Sequence, residues 1–217
     1  MKYASSLKPA LLLTFVASGA FAQNYSTDTG WTVGAIGTFS TPFFVGEDDL
    51  SFDGFPFISY ETERFYAGFD ELSYNFISAE TRAAQNDVSI LLQPRFSDIE
   101  SADSSFLAGM DRDFTLDLGL NYELTLERGG TTFGATFLQE ITGEHDGQEL
   151  ILRVSQPING ISSFPVAVEA GGRWQSGDLS QYLYGVYANE AVVGRPQYEP
   201  GSVFIPFIGA SAIIPLS

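Results

Sequence analysis

From Phe114 to Glu123 the chain reads Phe-Thr-Leu-Asp-Leu-Gly-Leu-Asn-Tyr-Glu. Phe114, Leu116, Leu118, Leu120 and Tyr122 therefore share one face of an extended segment, and Thr115, Asp117, Gly119, Asn121 and Glu123 share the other. A period of two belongs to a β-strand with one apolar and one polar face. The pattern returns between Thr131 and Ile141, where Thr131, Phe133, Ala135 and Phe137 oppose Thr132, Gly134 and Thr136. Between Val203 and Ile214 both faces are apolar. On the same criteria strands are expected at roughly 30–40, 54–61, 64–78, 87–97, 113–127, 130–141, 147–157, 164–174 and 202–215, with a weaker one near 181–188. The adjacent Gly129 and Gly130 predict a tight two-residue hairpin turn, because both accept a positive φ.

A half-polar strand fits a soluble sandwich or a membrane barrel, and the N-terminus separates the two. Lys2 and Lys8 flank a polar start, Pro9 to Val16 is a short apolar stretch, and Ala20-Phe21-Ala22 offers the small residues of a cleavage site. Residues 1–22 thus read as a secretory signal peptide. The apolar stretch is well short of the roughly 20 residues a spanning helix needs. Residues 23–217 are expected to form one domain, since no Pro/Gly/Ser-rich linker divides them.

Cleavage after Ala22 would remove the only two lysines and leave eight arginines against 27 acids, a net charge of −19. Such a chain repels nucleic acid. Cysteine is absent, which excludes disulfides, thiolate metal sites and cysteine nucleophiles.

An exported chain of alternating strands, several of them near the roughly 9–11 residues that cross a bilayer, predicts an all-β, antiparallel transmembrane β-barrel of roughly 10–12 strands. Only closure satisfies every backbone group in lipid. Trp31, Phe43, Phe44, Phe52, Phe55, Phe57, Tyr60, Phe65, Tyr66, Trp174, Tyr182, Tyr184 and Tyr187 cluster near expected strand ends, where barrels carry aromatic girdles. The registers turn Arg95, Asp117, Glu123, Glu140, Arg153, Glu169 and Arg173 toward the lumen, where opposite charges can pair.

Catalytic chemistry is thin. His145, the only histidine, lies between Glu144 and Asp146 and reads as a solvated loop residue; its functional alternative is a general base or metal ligand. Acids concentrate in connections at Glu47, Asp48, Asp49 and Asp53, at Asp98, Glu100 and Asp103, at Asp111 and Asp113, and at Glu144, Asp146 and Glu149. None has the spacing of an EF-hand loop, and solvated loops are the expectation. No catalytic, cofactor-binding or metal-binding residue is assigned.

Four stretches carry a resemblance to a known family. They are Trp31-Thr32-Val33-Gly34 followed by Thr41-Pro42-Phe43-Phe44-Val45-Gly46-Glu47-Asp48; Phe55-Pro56-Phe57-Ile58-Ser59-Tyr60-Glu61 with Glu63-Arg64-Phe65-Tyr66; Leu107-Ala108-Gly109-Met110-Asp111-Arg112-Asp113; and Tyr182-Leu183-Tyr184-Gly185-Val186 leading through Arg195-Pro196-Gln197-Tyr198-Glu199-Pro200-Gly201-Ser202. In order and spacing they resemble the MipA/OmpV (MltA-interacting protein) family. The resemblance implies an exported, non-enzymatic barrel of the cell outer membrane. It also implies a scaffold that brings a murein transglycosylase together with a murein synthase of the penicillin-binding protein class. The alternatives are a small pore or adhesin, a lipid-acting barrel enzyme using His145, and a soluble periplasmic barrel for an apolar ligand. The chain stops at Pro215-Leu216-Ser217 where the family usually adds another hairpin and such barrels commonly end on an aromatic residue, so a C-terminally short barrel is expected.

Overall fold

A computed structural model describes residues 29–40, 51–96, 107–158, 160 and 166–212. Residues 1–22, expected as a signal peptide, the acids at 47–49, the acids at 98–103 and the last residues, 213–217, lie outside the described residues.

Ten strands follow one another as β1 (Gly30–Ser40), β2 (Ser51–Glu61), β3 (Phe65–Ala67), β4 (Leu72–Glu80), β5 (Ala84–Arg95), β6 (Thr115–Leu126), β7 (Thr132–Glu140), β8 (Gln148–Pro157), β9 (Val166–Gln175) and β10 (Val203–Ala212). They form one antiparallel sheet in chain order, with β1 and β10 at its edges. One end carries the short connections Thr62–Arg64, Thr81–Ala83 and Glu127–Gly130. The other carries 96–114, Ile141–Gly147 and Ser176–Ser202. Outer-membrane barrels place short turns in the periplasm and longer loops outside, which orients this sheet.

The polarity of the wall is inverted relative to a soluble protein. On β6 the polar side chains are hidden, with Asp117 at 1% and Glu123 at 4% exposure, while Leu120 is 53% exposed. Phe133 and Phe137 of β7, Leu152 of β8, Val168 and Trp174 of β9, and Phe204 and Ile208 of β10 also face outward. Water would penalise this arrangement by about 25 cal/mol per Å² of apolar surface, whereas hydrocarbon removes the penalty. A ten-residue strand is about 33 Å long, and tilted by about 45° it projects about 23 Å, close to the apolar band of such barrels.

The sheet is also strongly curled and staggered. Arg95 of β5 reaches Glu149 of β8 at 3.0 Å, across two intervening strands. In a flat sheet those strands would stand about 14 Å apart. A row taken straight across the strands runs Val203, Gln175, Glu149, Leu138, Gly119, Leu91, Ser73, Tyr66, Glu61, Gly30. It starts at the loop end of β10 and finishes at the turn end of β1. That stagger is what a barrel wall of tilted strands requires.

Three expectations are corrected. The segment expected as one strand over 64–78 is two, β3 and β4, joined by a turn closed by the Gly68 N–H donating to the Glu71 carbonyl at 2.8 Å. The turn at Gly129 and Gly130 spans four residues, Glu127–Gly130, although both glycines do take positive φ, 94° and 68°. The weak strand near 181–188 is helix α1 (Gly177–Tyr184). Ser176 caps it by accepting from the Leu179 N–H, Asp178 sits in its first turn, and the Gly185 N–H closes it on the Gln181 carbonyl.

Candidate functional site

Two polar assemblies stand out, one inside the wall and one over its loop end. All seven residues expected to face the lumen lie on inward positions. Arg95 donates to Asp117 from Nε at 3.0 Å and to Glu149 from Nη2 at 3.0 Å. Glu149 also receives Arg173 Nε at 3.2 Å and Gln175 Nε2 at 2.9 Å. Nearer the turn end Arg153 pairs with Glu123, and Asp87 accepts from Asn75 at 3.0 Å and from Gln85 at 2.9 Å. Glu149, expected in a connection, belongs to β8 and is hidden between two arginines. Each anion therefore offsets its desolvation with a guanidinium or amide, the condition for keeping charge inside a low-dielectric wall.

Glu140, at the end of β7, organises the next loop. Its carboxylate accepts from the backbone N–H of Thr142, from Gly143 at 2.8 Å and from Asp146 at 2.9 Å, as well as from the Thr142 hydroxyl. Positive φ at Gly143 (86°) and Asp146 (53°) lets these donors converge. His145 is consequently half-buried rather than solvated: its Nδ1 accepts from the Gly147 N–H at 2.9 Å and its ring lies 4.5 Å from that of Tyr182. Burial pushes its pKa down, against the pull of Glu140, so the neutral ring is favoured.

Over the loop end, 107–113 and 177–200 close on one another around Arg112. Arg112 makes a two-armed contact with Glu190, at 2.5 and 3.2 Å, and donates to the carbonyls of Tyr182 (2.6 Å), Asp111 (2.7 Å) and Gly185 (3.0 Å). Its guanidinium lies 5.0 Å from the Tyr187 ring centre. Arg195 ties the Ala108 and Glu190 carbonyls at 3.0 and 2.7 Å. Leu107, Met110 and Val186 form the small apolar core beneath. Burial alone would raise the Glu190 carboxyl, but hydrogen bonds from Arg112 and the Tyr187 N–H outweigh it and hold it low. Burial pushes the Tyr182 hydroxyl up to about 12, so it stays protonated and donates to the Asp113 carbonyl.

The sequence reading missed this clasp. Its signal was scarcity: only eight arginines serve the whole chain, and five of them (Arg95, Arg112, Arg153, Arg173 and Arg195) are spent on internal contacts. Tyr182, Tyr184 and Tyr187, grouped with the girdle aromatics, belong to α1 and this cap. Trp31 and Tyr60, 5.0 Å apart, and Trp174 do face outward near strand ends. Among the described residues no three His, Asp or Glu side chains gather in a way that could hold a metal ion.

Comparison with known proteins agrees with this architecture. The family described as MltA-interacting protein MipA matches residues 33–217. Outer membrane protein OmpV of Vibrio cholerae serotype O1 is 27% identical over 205 residues, covering 94% of this chain and 76% of the relative. Outer membrane protein Omp26La of Vibrio anguillarum is 26% identical with the same coverage. No solved structure matches the chain. With an inside-out antiparallel wall and a family match over most of its length, the chain belongs to the MipA family and is an outer-membrane protein.

Proposed function

We propose that the protein is a non-enzymatic scaffold that holds a murein transglycosylase and a penicillin-binding protein at the periplasmic face of the outer membrane. The observation that carries the non-enzymatic reading is the state of the charged groups. The hidden carboxylates Asp117, Glu123, Glu149 and Glu190 are matched to arginines, and His145 is fixed by Gly147 and Tyr182. None of these carboxylates is free to act as an acid or base, and the accepting nitrogen of His145, Nδ1, is already occupied by the Gly147 N–H. The family's description as an MltA-interacting protein supports a transglycosylase as one of the partners.

The turn end favours a docking surface there. Arg64, Arg82 and Arg128 are exposed, one in each of the three short turns, beside Glu63, Glu80 and Glu127. Cells expressing tagged protein would be crosslinked and the envelope solubilised. Recovery of a murein transglycosylase, reduced when Arg64, Arg82 and Arg128 are all replaced by Glu, supports the reading. Crosslinking that captures neither murein hydrolases nor synthases overturns it. Replacing His145 with Ala should change no lipase or deacylase activity of the purified barrel.

A further inference from the structure

Helix α1 lies as a chord across the loop end of the wall. It follows Gln175, the last residue of β9, and its start is tied to β8: the Ser176 N–H donates to the Gln148 carbonyl at 2.9 Å, and the Ser176 hydroxyl accepts from the Gln148 N–H at 3.0 Å. Leu179 packs on Gly147 and Tyr182 on His145, both in the connection between β7 and β8. The Tyr182 hydroxyl then reaches the Asp113 carbonyl, just before β6. Strands β6 and β9 stand three positions apart, about 14 Å along the wall, and the eight-residue helix is about 12 Å long. Because the wall is curled, a helix running from β9 to β6 covers the lumen between them.

Its two faces are held differently. On the loop side, Leu179 and Tyr182 meet the connections described above, and Arg112 of the clasp with Glu190 grips the Tyr182 and Gly185 carbonyls. Ser180 and Tyr184, four residues apart, share the other face, where Tyr184 meets the Gln175 side chain and the charges of Arg173, Glu149 and Arg95. That lower contact is incomplete. Ser180 Oγ on the helix, and Thr115 Oγ1 and Gln175 Oε1 on the wall, are hidden with no protein partner. A hidden oxygen of this kind costs about 1–3 kcal/mol unless water reaches it. The helix is therefore latched from outside and weakly held beneath.

Below the helix runs a track that solvent reaches. The inward residues Ile151, Arg153 and Ser155 of β8, and Glu169, Gly171 and Arg173 of β9, are half-buried. Next to α1 exposure collapses, to 2% at Glu149 and 1% at Gln175. Arg153 and Arg173 are matched to Glu123 and Glu149, but Glu169 has no ion pair among the described residues. Its carboxylate lies against Gly209 of β10, which has no side chain to cover it. The unmatched charge on this track is thus negative, which attracts cations and repels anions.

We propose that α1 is a movable plug over a narrow passage for small inorganic cations through the barrel, latched shut by the Arg112–Glu190 clasp, with Glu169 selecting charge inside. This activity is additional to scaffolding and leaves the turn end free for a partner.

Purified barrels in planar phospholipid bilayers bathed in potassium chloride test the passage, and heat-modifiable gel mobility confirms that each variant is folded. The wild-type barrel should stay closed for most of a recording, and Glu190→Ala should raise the open fraction manyfold. Across a potassium chloride gradient the open current should reverse at a potential that favours potassium, and adding Glu169→Gln should reduce that preference several-fold. The absence of cysteine lets helix movement be read separately. Ser180→Cys should react slowly with a membrane-impermeant maleimide, and manyfold faster once Glu190→Ala is added. Fast reaction at that position in a barrel that passes no current refutes the passage. Equal open fractions with and without Glu190→Ala, or equal reaction rates, refute the latch. Unchanged selectivity with Glu169→Gln refutes the role given to that carboxylate.

Discussion

Removing Glu190 should free the cap without loosening the wall. Glu190→Ala leaves the Arg112 guanidinium hidden among carbonyls with no counter-charge, and also deprives the Tyr187 N–H of its acceptor. Breaking a buried pair from one side typically costs about 3–5 kcal/mol. Arg112 keeps its three carbonyl partners, and relaxation of two loops admits water, so the lower figure of about 3 kcal/mol applies. At about 1.4 kcal/mol per tenfold, the open population of the cap rises about a hundredfold. Limited proteolysis within 185–200, under conditions where reclosing outpaces cleavage, should accelerate by the same factor. Heat-modifiable mobility should be unchanged, since the wall has its own ion pairs. Glu190→Gln, which retains an acceptor, should accelerate cleavage far less. Cleavage of Glu190→Ala at the wild-type rate, or loss of the folded band, would refute a clasp that holds the cap alone.

Acid should act on the same clasp, because the Glu190 carboxyl is held low in the folded cap. Its contribution is present above the unfolded carboxylate range, about 4.3, and is lost as pH falls through its lower folded value. Hydrogen exchange in 107–113 should therefore quicken below about pH 4. His145 acts earlier: burial lowers its pKa, so the unfolded loop binds its proton first and stability declines as pH falls below about 6.5. That component of exchange should vanish in His145→Gln. Gly147→Ala would set a Cβ 2.6 Å from His145 Nδ1 and 2.7 Å from the Leu179 backbone nitrogen, costing about 1–3 kcal/mol and unseating α1, seen as faster cleavage near Ser180. Leu120→Arg on the outward face should cost about 2–4 kcal/mol in a refolding titration into lipid. The same change at inward Asn121 should cost much less, and equal costs would contradict the inside-out wall.

The central strands were legible because period two survives translation into structure wherever one face meets lipid and the other meets charge. Asp117, Glu123, Arg153 and Arg173 could be placed from parity alone. Parity says nothing about reach, however, and the meeting of Arg95 with Glu149 depends on a curl that no local pattern encodes. Helix α1 was misread because Tyr182, Tyr184 and Val186 alternate like a strand. The stronger signals were the Ser176 cap, Asp178 in the first turn, and burial of Leu179 and Tyr182 three residues apart. The clasp was illegible for a different reason: Arg112 and Glu190 are 78 residues apart in sequence, and neither belongs to a repeat. The break between β3 and β4 was hidden as well, since one bend around Gly68 resembles a flaw in a continuous strand.

The interleaving that makes the wall inside-out also bears on how such a chain travels. Its mean hydropathy is only +0.05, and every Leu of β6 is separated from the next by at least one polar residue or glycine. The described residues include no helix long and apolar enough to cross a membrane. In the extended state these strands give a translocating pore no continuous greasy segment at which to halt and release the chain sideways. Their affinity for lipid arises only when strands pair and gather alternate side chains onto one surface. Membrane preference is thus a property of the folded sheet, which lets the chain pass one bilayer as a water-compatible polymer and settle in the next.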